Sequence, residues 1–169
     1  MTGGFRIEVL EAGHDRTAFR SGVDALDRYL REQASQDMRR RASTCYVALH
    51  VDDGRIAAYY TLAAGGIPLT DLPEAQARRL PRYPSVPVAR MGRLAVDLSF
   101  RGQQLGAALL GDAVKRAMRS ELAVFALVVD AKDEAAEAFY LHHGFVQLGS
   151  VARQLFVPLA SFAKRTSSQ

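Results

Sequence analysis

The run Arg101-Gly102-Gln103-Gln104-Leu105-Gly106 joins a short apolar strand, Leu94-Ala95-Val96, to an apolar-periodic helix. Such a turn presents backbone N–H groups that have no partner inside the helix, beside the partial positive charge of the helix N-terminus. Gly102 lets the chain approach a bound group closely, and the amides of Gln103, Gln104, Leu105, Gly106 and Ala107 can then point at the oxygens of a pyrophosphate. Gly106, inside the helix, costs roughly 1 kcal/mol against alanine, which close approach to a ligand or a neighbouring strand would offset. The hexapeptide alone reads equally well as a tight turn that binds nothing. Its spacing is neither the dinucleotide fingerprint nor a P-loop, because no Gly-Lys-Ser/Thr follows. Tyr140 adds a phenol able to give a proton. A tyrosine on an apolar helix face most simply belongs to the core, its hydroxyl on a nearby carbonyl.

The remaining reactive side chains have plainer readings. Asp133 precedes a short helix and fits an N-cap. His142 and His143 are adjacent, so on a helix they point in different directions. No other His, Cys or carboxylate stands at ligand spacing, and no metal is expected. A Gly-x-Ser-x-Gly nucleophile elbow is absent. Cys45, the single cysteine, lies in a strand-like run and reads as a small buried hydrophobe.

The elements that must carry these groups follow from hydrophobic period. Phe5 to Leu10 alternates like a half-buried strand. Val23, Leu26, Tyr29 and Leu30 recur at helical spacing, and the helix extends through Ala34 towards Met38. Cys45–Val51 and Ile56–Leu62 are strands joined across Asp52-Asp53-Gly54, with Gly65-Gly66 and Pro68 ending or bending the second. Residues 68–87 carry five prolines and predict a loop with a short helix near Glu74–Leu80. Val88–Val96 is the next strand, followed by a helix with Leu105, Leu109, Leu110, Ala113 and Ala117 on its apolar face. Leu122–Val129 is almost continuously apolar, as a central strand covered on both faces would be. A helix over Glu134–His142 stopped by Gly144, strands at Phe145–Leu148 and Leu155–Leu159, and a tail over 161–169 complete the chain. Alternating strands and helices predict an α/β fold in a single domain, with a mixed sheet.

Composition bounds the function. The chain has 169 residues, 49% of them apolar and 24% charged, an ordinary globular mixture. No apolar run is long enough for a membrane span, and Met1-Thr2-Gly3-Gly4 does not open a secretory signal. One cysteine allows no internal disulfide and fits a reducing cytoplasm. A net charge of +4 suits an anionic partner. Arginines and lysines cluster at Arg39-Arg40-Arg41, at Arg78-Arg79 with Arg82, and at Lys115-Arg116 with Arg119. The first and third of these clusters also complement helix C-termini.

Taken together, Arg93-Leu94-Ala95-Val96-Asp97, the 101–106 turn, Leu109-Leu110, and Ala138-Phe139-Tyr140 with Gly144-Phe145 resemble the GNAT acetyltransferases over roughly residues 5–159. Phe19-Arg20-Ser21-Gly22, Leu26-Asp27-Arg28-Tyr29-Leu30, Gln33-Ala34, Thr44-Cys45-Tyr46-Val47 and Ala58-Tyr59-Tyr60-Thr61-Leu62 resemble the GNAT toxins of bacterial type II toxin–antitoxin pairs. The resemblance implies a mixed, mostly antiparallel sheet of six to seven strands, with splayed central parallel strands and flanking helices. It implies an acetyl-CoA site in which backbone around Leu94, Ala95 and Val96 meets the pantetheine arm. The pyrophosphate would rest on Arg101, Gly102, Gln103, Gln104, Leu105, Gly106 and Ala107. Gln104 stands where many relatives have a second glycine, and Asp133, in the implied cofactor set, where many have asparagine. Tyr140 matches the tyrosine that protonates the departing thiolate.

The implied substrate is the α-amino group of aminoacyl-tRNA, whose acetylation inhibits translation. Arg78, Arg79, Arg90 and Arg93 are the first candidates to meet tRNA phosphates, with Arg39–Arg41 next. A cognate antitoxin, commonly of ribbon-helix-helix type, would neutralise the toxin and bring it to operator DNA, and family members are often homodimers. Two alternatives stay open. One is a GNAT enzyme acting on a small amine or a protein amine; the other is a noncatalytic GNAT-like binding module.

Overall fold

In the computed structural model, which describes residues 4–162, the amino-terminal alternation becomes strand β1, Phe5–Val9. The elements then run α1 Asp24–Glu32, α2 Ala34–Arg39, β2 Thr44–His50, β3 Ile56–Pro68, α3 Glu74–Ala77, β4 Ser85–Val96, α4 Leu105–Arg119, β5 Ala126–Asp130, α5 Glu134–His142, β6 Val146–Gln147 and β7 Gln154–Pro158. Seven strands form one sheet in the order β1-β2-β3-β4-β5-β7-β6. β1 with β2, β2 with β3, β5 with β7 and β6 with β7 are antiparallel, whereas β4 and β5 are parallel. The expected α/β fold with a mixed, mostly antiparallel sheet is therefore present. Most of the expected tail, residues 163–169, lies outside the described residues.

The chain groups into two compact units, each made of two segments. The first takes in the chain to Ala63 together with Gly92–Ala113. Its core gathers Leu10, Phe19, Leu30, Val47, Tyr59 and Ala95, among others. Burying each of the larger side chains there contributes roughly 1.5–3 kcal/mol. Tyr59 is buried with its hydroxyl donating to the Leu26 carbonyl at 2.6 Å, and Phe19 meets its ring edge-on. The second unit takes in Ala64–Met91 and the chain from Val114 onward. Val88, Val128 and Phe156, on neighbouring strands, centre its core. β5 is flanked by β4 and β7, and its Ala126–Val129 stretch is fully buried, as its apolar run predicted.

Four element boundaries differ from the sequence reading. The single helix expected from Val23 to Met38 is two, because Gln33 takes φ −124° and bends the chain. Backbone bonds continue across the bend, from Gln33 N–H to Tyr29 O and from Asp37 N–H to Gln33 O. The bend coincides with complete burial of Ala34 and with a 2.7 Å hydrogen bond from the Tyr29 hydroxyl to Asp37. β3 does not end at Gly65-Gly66 but runs on to Pro68. A Cβ on Gly66 would stand 2.6 Å from Ser85 Oγ, so the glycine permits close approach rather than breaking the strand. β4 accordingly starts at Ser85, inside the proline-rich stretch, and Pro87 contributes the acceptor that a missing N–H leaves it. β5 begins only at Ala126, and Leu122 is 76% exposed. Ser120 Oγ takes the Leu122 N–H in a local turn, and contact with β4 starts where Phe125 N–H meets Pro87 O.

Candidate active site

The parallel ladder between β4 and β5 runs from Val88↔Ala126 to Met91↔Val129. β4 then continues to Val96 within the first unit, with Ala95 buried and Leu94 and Val96 half-buried. Asp97 closes the strand by capping a short 3-10 turn, Leu98–Phe100, accepting the Ser99 N–H. The chain next enters the glycine turn singled out above. Gly102 has φ +80° and Gln104 φ +60°. Left-handed residues so placed bend successive amides into a concave nest suited to an anion. The α4 ladder opens with Ala108 N–H donating to Gln104 O at 3.1 Å, so the amides of Leu105, Gly106 and Ala107 precede it. Residues 101–104 are exposed, whereas Leu105 is buried and anchors the helix start. Gln104 thus adopts the backbone geometry of the glycine it stands for, with the side chain on the surface.

Tyr140 belongs to the second unit, near the end of α5. Its carbonyl accepts the N–H groups of His143 and Phe145, and its ring lies against Phe139 and Phe145, which fixes the side chain. The residue is 7% exposed, as a core tyrosine would be. Its hydroxyl does not reach a carbonyl, however; it points at the Met91 thioether, 3.9 Å away. A thioether is a weak acceptor. Burial pushes the phenol up to about 12, so it keeps its proton at neutral pH. Met91 was not singled out from the sequence: it is one apolar residue in an apolar strand, and only the tertiary contact distinguishes it.

The other candidates are distributed as follows. Asp133 caps α5, accepting the Ala136 N–H at 2.8 Å. Arg78 is exposed and paired with Glu74 one turn earlier, and Arg79 is exposed. Arg90 donates to Asp130 at 2.9 Å. The Arg93 guanidinium lies 3.6 Å from the centroid of the Tyr29 ring, a cation–π contact. Cys45 is buried and its thiol is pushed up to about 12 by burial, the chemistry of a core residue rather than a nucleophile. One trio not anticipated from the sequence, Glu8, Glu11 and His14, brings ligand-type atoms within 4.8 Å of one another. His14 Nδ1 accepts the Glu11 N–H and Nε2 faces Glu8, so both ring nitrogens already serve a hydrogen-bonded turn. No helix among the described residues is long and apolar enough to cross a membrane.

A model of the acetyltransferase (GNAT) family matches residues 12–145. The chain is 38% identical over 133 residues to a tRNA-acetylating toxin of Mycobacterium tuberculosis, covering 78% of each protein. A probable toxin TacT of Sinorhizobium fredii is 26% identical over 157 residues, or 88% of this chain and 87% of that one. Among solved structures, AtaT complexed with acetyl-methionyl-tRNAfMet superimposes with a TM-score of 0.89 at 29% identity, over 96% of this chain and 99% of that one. AtaT carrying a tyrosine-to-phenylalanine substitution, bound to the C-terminus of the antitoxin AtaR and acetyl-CoA, gives 0.80 at 25% identity over 96% and 98%. The AtaT–AtaR complex bound to DNA gives 0.74 at 28% identity over 95% and 99%.

Proposed function

Because the chain belongs to the GNAT acetyltransferase family, we propose that it is an acetyl-CoA-dependent N-acetyltransferase acting on the α-amino group of aminoacyl-tRNA. In this reading it inhibits translation as the toxin of a type II toxin–antitoxin pair. Its relatives carry the substrate and partner assignment: one is named for tRNA acetylation, and AtaT has been seen with acetylated aminoacyl-tRNA, with antitoxin and acetyl-CoA, and with antitoxin and DNA. As part of the same proposal, the antitoxin is of ribbon-helix-helix type, operator DNA is reached only through it, and the toxin, a homodimer, works in the cytoplasm.

The observation that carries the chemistry is the phenol of Tyr140 facing nothing stronger than a thioether. When bound, acetyl-CoA supplies an acetyl group activated as a thioester, which the acceptor amine attacks as the sulfur leaves. The nest of residues 101–107 binds the pyrophosphate through backbone amides, which leaves the Gln104 side chain without a role. The backbone of Leu94, Ala95 and Val96 holds the pantetheine arm. Tyr140 meets the sulfur. Burial raises the phenol to about 12, so at neutral pH it holds the proton that the departing sulfur needs. The Tyr140 hydroxyl gives a proton to the sulfur as negative charge develops there, and the proton released by the new amide nitrogen replaces the one it gives. A free α-amino group has a pKa of about 8 and the adjacent ester lowers it, so no strong general base is needed.

For tRNA, Arg78 and Arg79 have the exposure that phosphate contact requires, Arg78 while holding a surface pair with Glu74. Arg90 and Arg93 carry prior engagements, with Asp130 and with the Tyr29 ring, and contribute charge rather than free forks.

Tyr140→Phe tests the assignment. It removes the hydroxyl and keeps the packing, so kcat falls by about 10²-fold or more while the acetyl-CoA dissociation constant stays within about twofold. The wild-type rate shows no loss from phenol ionisation up to about pH 10, since the raised pKa keeps the donor protonated there. Unchanged kcat in the variant would remove Tyr140 from the mechanism.

A further inference from the structure

The segment Phe19-Arg20-Ser21-Gly22 and the following Asp27 have no part in the chemistry above, yet they are tied closely to its phosphate-binding turn. Phe19 anchors the segment, buried edge-on against Tyr59. Asp27, in the first turns of α1, is a 4%-exposed carboxylate. It accepts the Ser21 hydroxyl at 2.6 Å and the Ser21 N–H at 3.0 Å. The Ser21 carbonyl in turn accepts Arg101 Nη2 at 2.9 Å. Beside this chain, Arg20 N–H donates to Asp97 Oδ2 at 2.8 Å and Leu98 N–H donates to the Arg20 carbonyl at 2.8 Å. Residues 20 and 21 are thus fastened to residues 97, 98 and 101, the connection that leads into the nest.

We infer that Ser21 and Asp27 are positioning residues for the pyrophosphate-binding turn, acting through Arg101 at its entrance; the inference rests on the reading of residues 101–107 as the acetyl-CoA phosphate site. The physical case is one of conformational cost. Arg101–Gln104 is an exposed turn whose Gln104 holds a left-handed conformation, and the turn is held at its far end by the buried Leu105 and at its entrance by Arg101. Amides aimed at phosphate lose hydrogen-bond strength when they are displaced or misaligned. The guanidinium bond to a carbonyl that is itself held by a buried carboxylate fixes where the turn begins. A serine supplies both donors to one carboxylate oxygen, which an alanine cannot do.

The test compares two acetyl donors that differ only beyond the pantetheine arm: acetyl-CoA and S-acetylpantetheine, which lacks the pyrophosphate. With charged tRNA as acceptor, Ser21→Ala and Asp27→Asn raise KM for acetyl-CoA by about tenfold, the worth of one charge-assisted hydrogen bond, with kcat held within about twofold. Their constants for S-acetylpantetheine do not change, and Ser21→Thr, which keeps the hydroxyl, restores KM. A general structural role would lower activity with both donors alike, and that result overturns the inference, as does an unchanged KM. Should Asp27→Asn fail to fold, the exposed Arg101→Ala variant shows the same donor-selective loss. Adding Ser21→Ala to it changes nothing further, whereas fully additive effects contradict the proposed route through Arg101. A wild-type protein with equal KM for the two donors overturns the phosphate-site reading itself, and the inference with it. That failure is distinguishable because it needs no variant.

Discussion

Gln104 holds φ +60° at the mouth of the nest, a conformation that costs a non-glycine residue roughly 1–2 kcal/mol. The sequence identified the turn and the unusual glutamine within it, since glycine spacing and the onset of an apolar helix are local signals. What spacing could not show is that glutamine would adopt the glycine-like geometry rather than redesign the turn. Gln104→Gly therefore leaves acetyl-CoA affinity within about twofold, because relieved strain and added chain entropy largely cancel. Gln104→Val, with a branched side chain ill-suited to positive φ, weakens binding by about tenfold, corresponding to the lower end of the strain expected there. Calorimetric titration of both variants with acetyl-CoA checks this, and wild-type affinity in Gln104→Val would mean the nest geometry is not required. Tyr140 was also legible as a candidate proton donor, through the resemblance rather than through its spacing. Burial was foreseen, whereas the thioether partner depends on a contact between residues 49 positions apart.

At the scale of elements, the Asp133 cap with Gly144 located α5, and apolar pattern located α4 and β2 to within a residue or so. It failed where tertiary contacts override local pattern: the bend at Gln33, the uninterrupted β3 and the late start of β5. The arginine assignments were limited for the same reason. Nothing in the spacing reveals that Arg93 stacks on Tyr29 or that Arg90 meets Asp130. Asp133 illustrates the boundary between the two readings. Its place before α5 marks a cap, and the structure puts its carboxylate on the Ala136 amide. Asp133→Ala consequently lowers stability by about 1 kcal/mol, about 2–4 °C in Tm for a chain of this size. Acetyl-CoA affinity stays unchanged, as calorimetry on the folded variant would record. A large loss of affinity without a stability change would make Asp133 a cofactor ligand instead.

Across the whole molecule, residues 101–107, Ser21 and Asp27 fall in one compact unit, and Tyr140 with Met91 in the other. β4 contributes residues to both, with Met91 in one segment and Leu94–Val96 in the other. The net charge of +4 fits a polyanionic substrate, and the exposed Arg78 and Arg79 provide part of it. The central claim concerns where the acetyl group ends. Incubation of the protein with isotopically labelled acetyl-CoA and total charged tRNA, followed by nuclease digestion and mass spectrometry, reads that position directly. The account predicts label on the α-amino group of the amino acid of one or a few aminoacyl-tRNA species, and none on uncharged tRNA. Label confined to free small amines or to protein amines, with charged tRNA untouched, would contradict it.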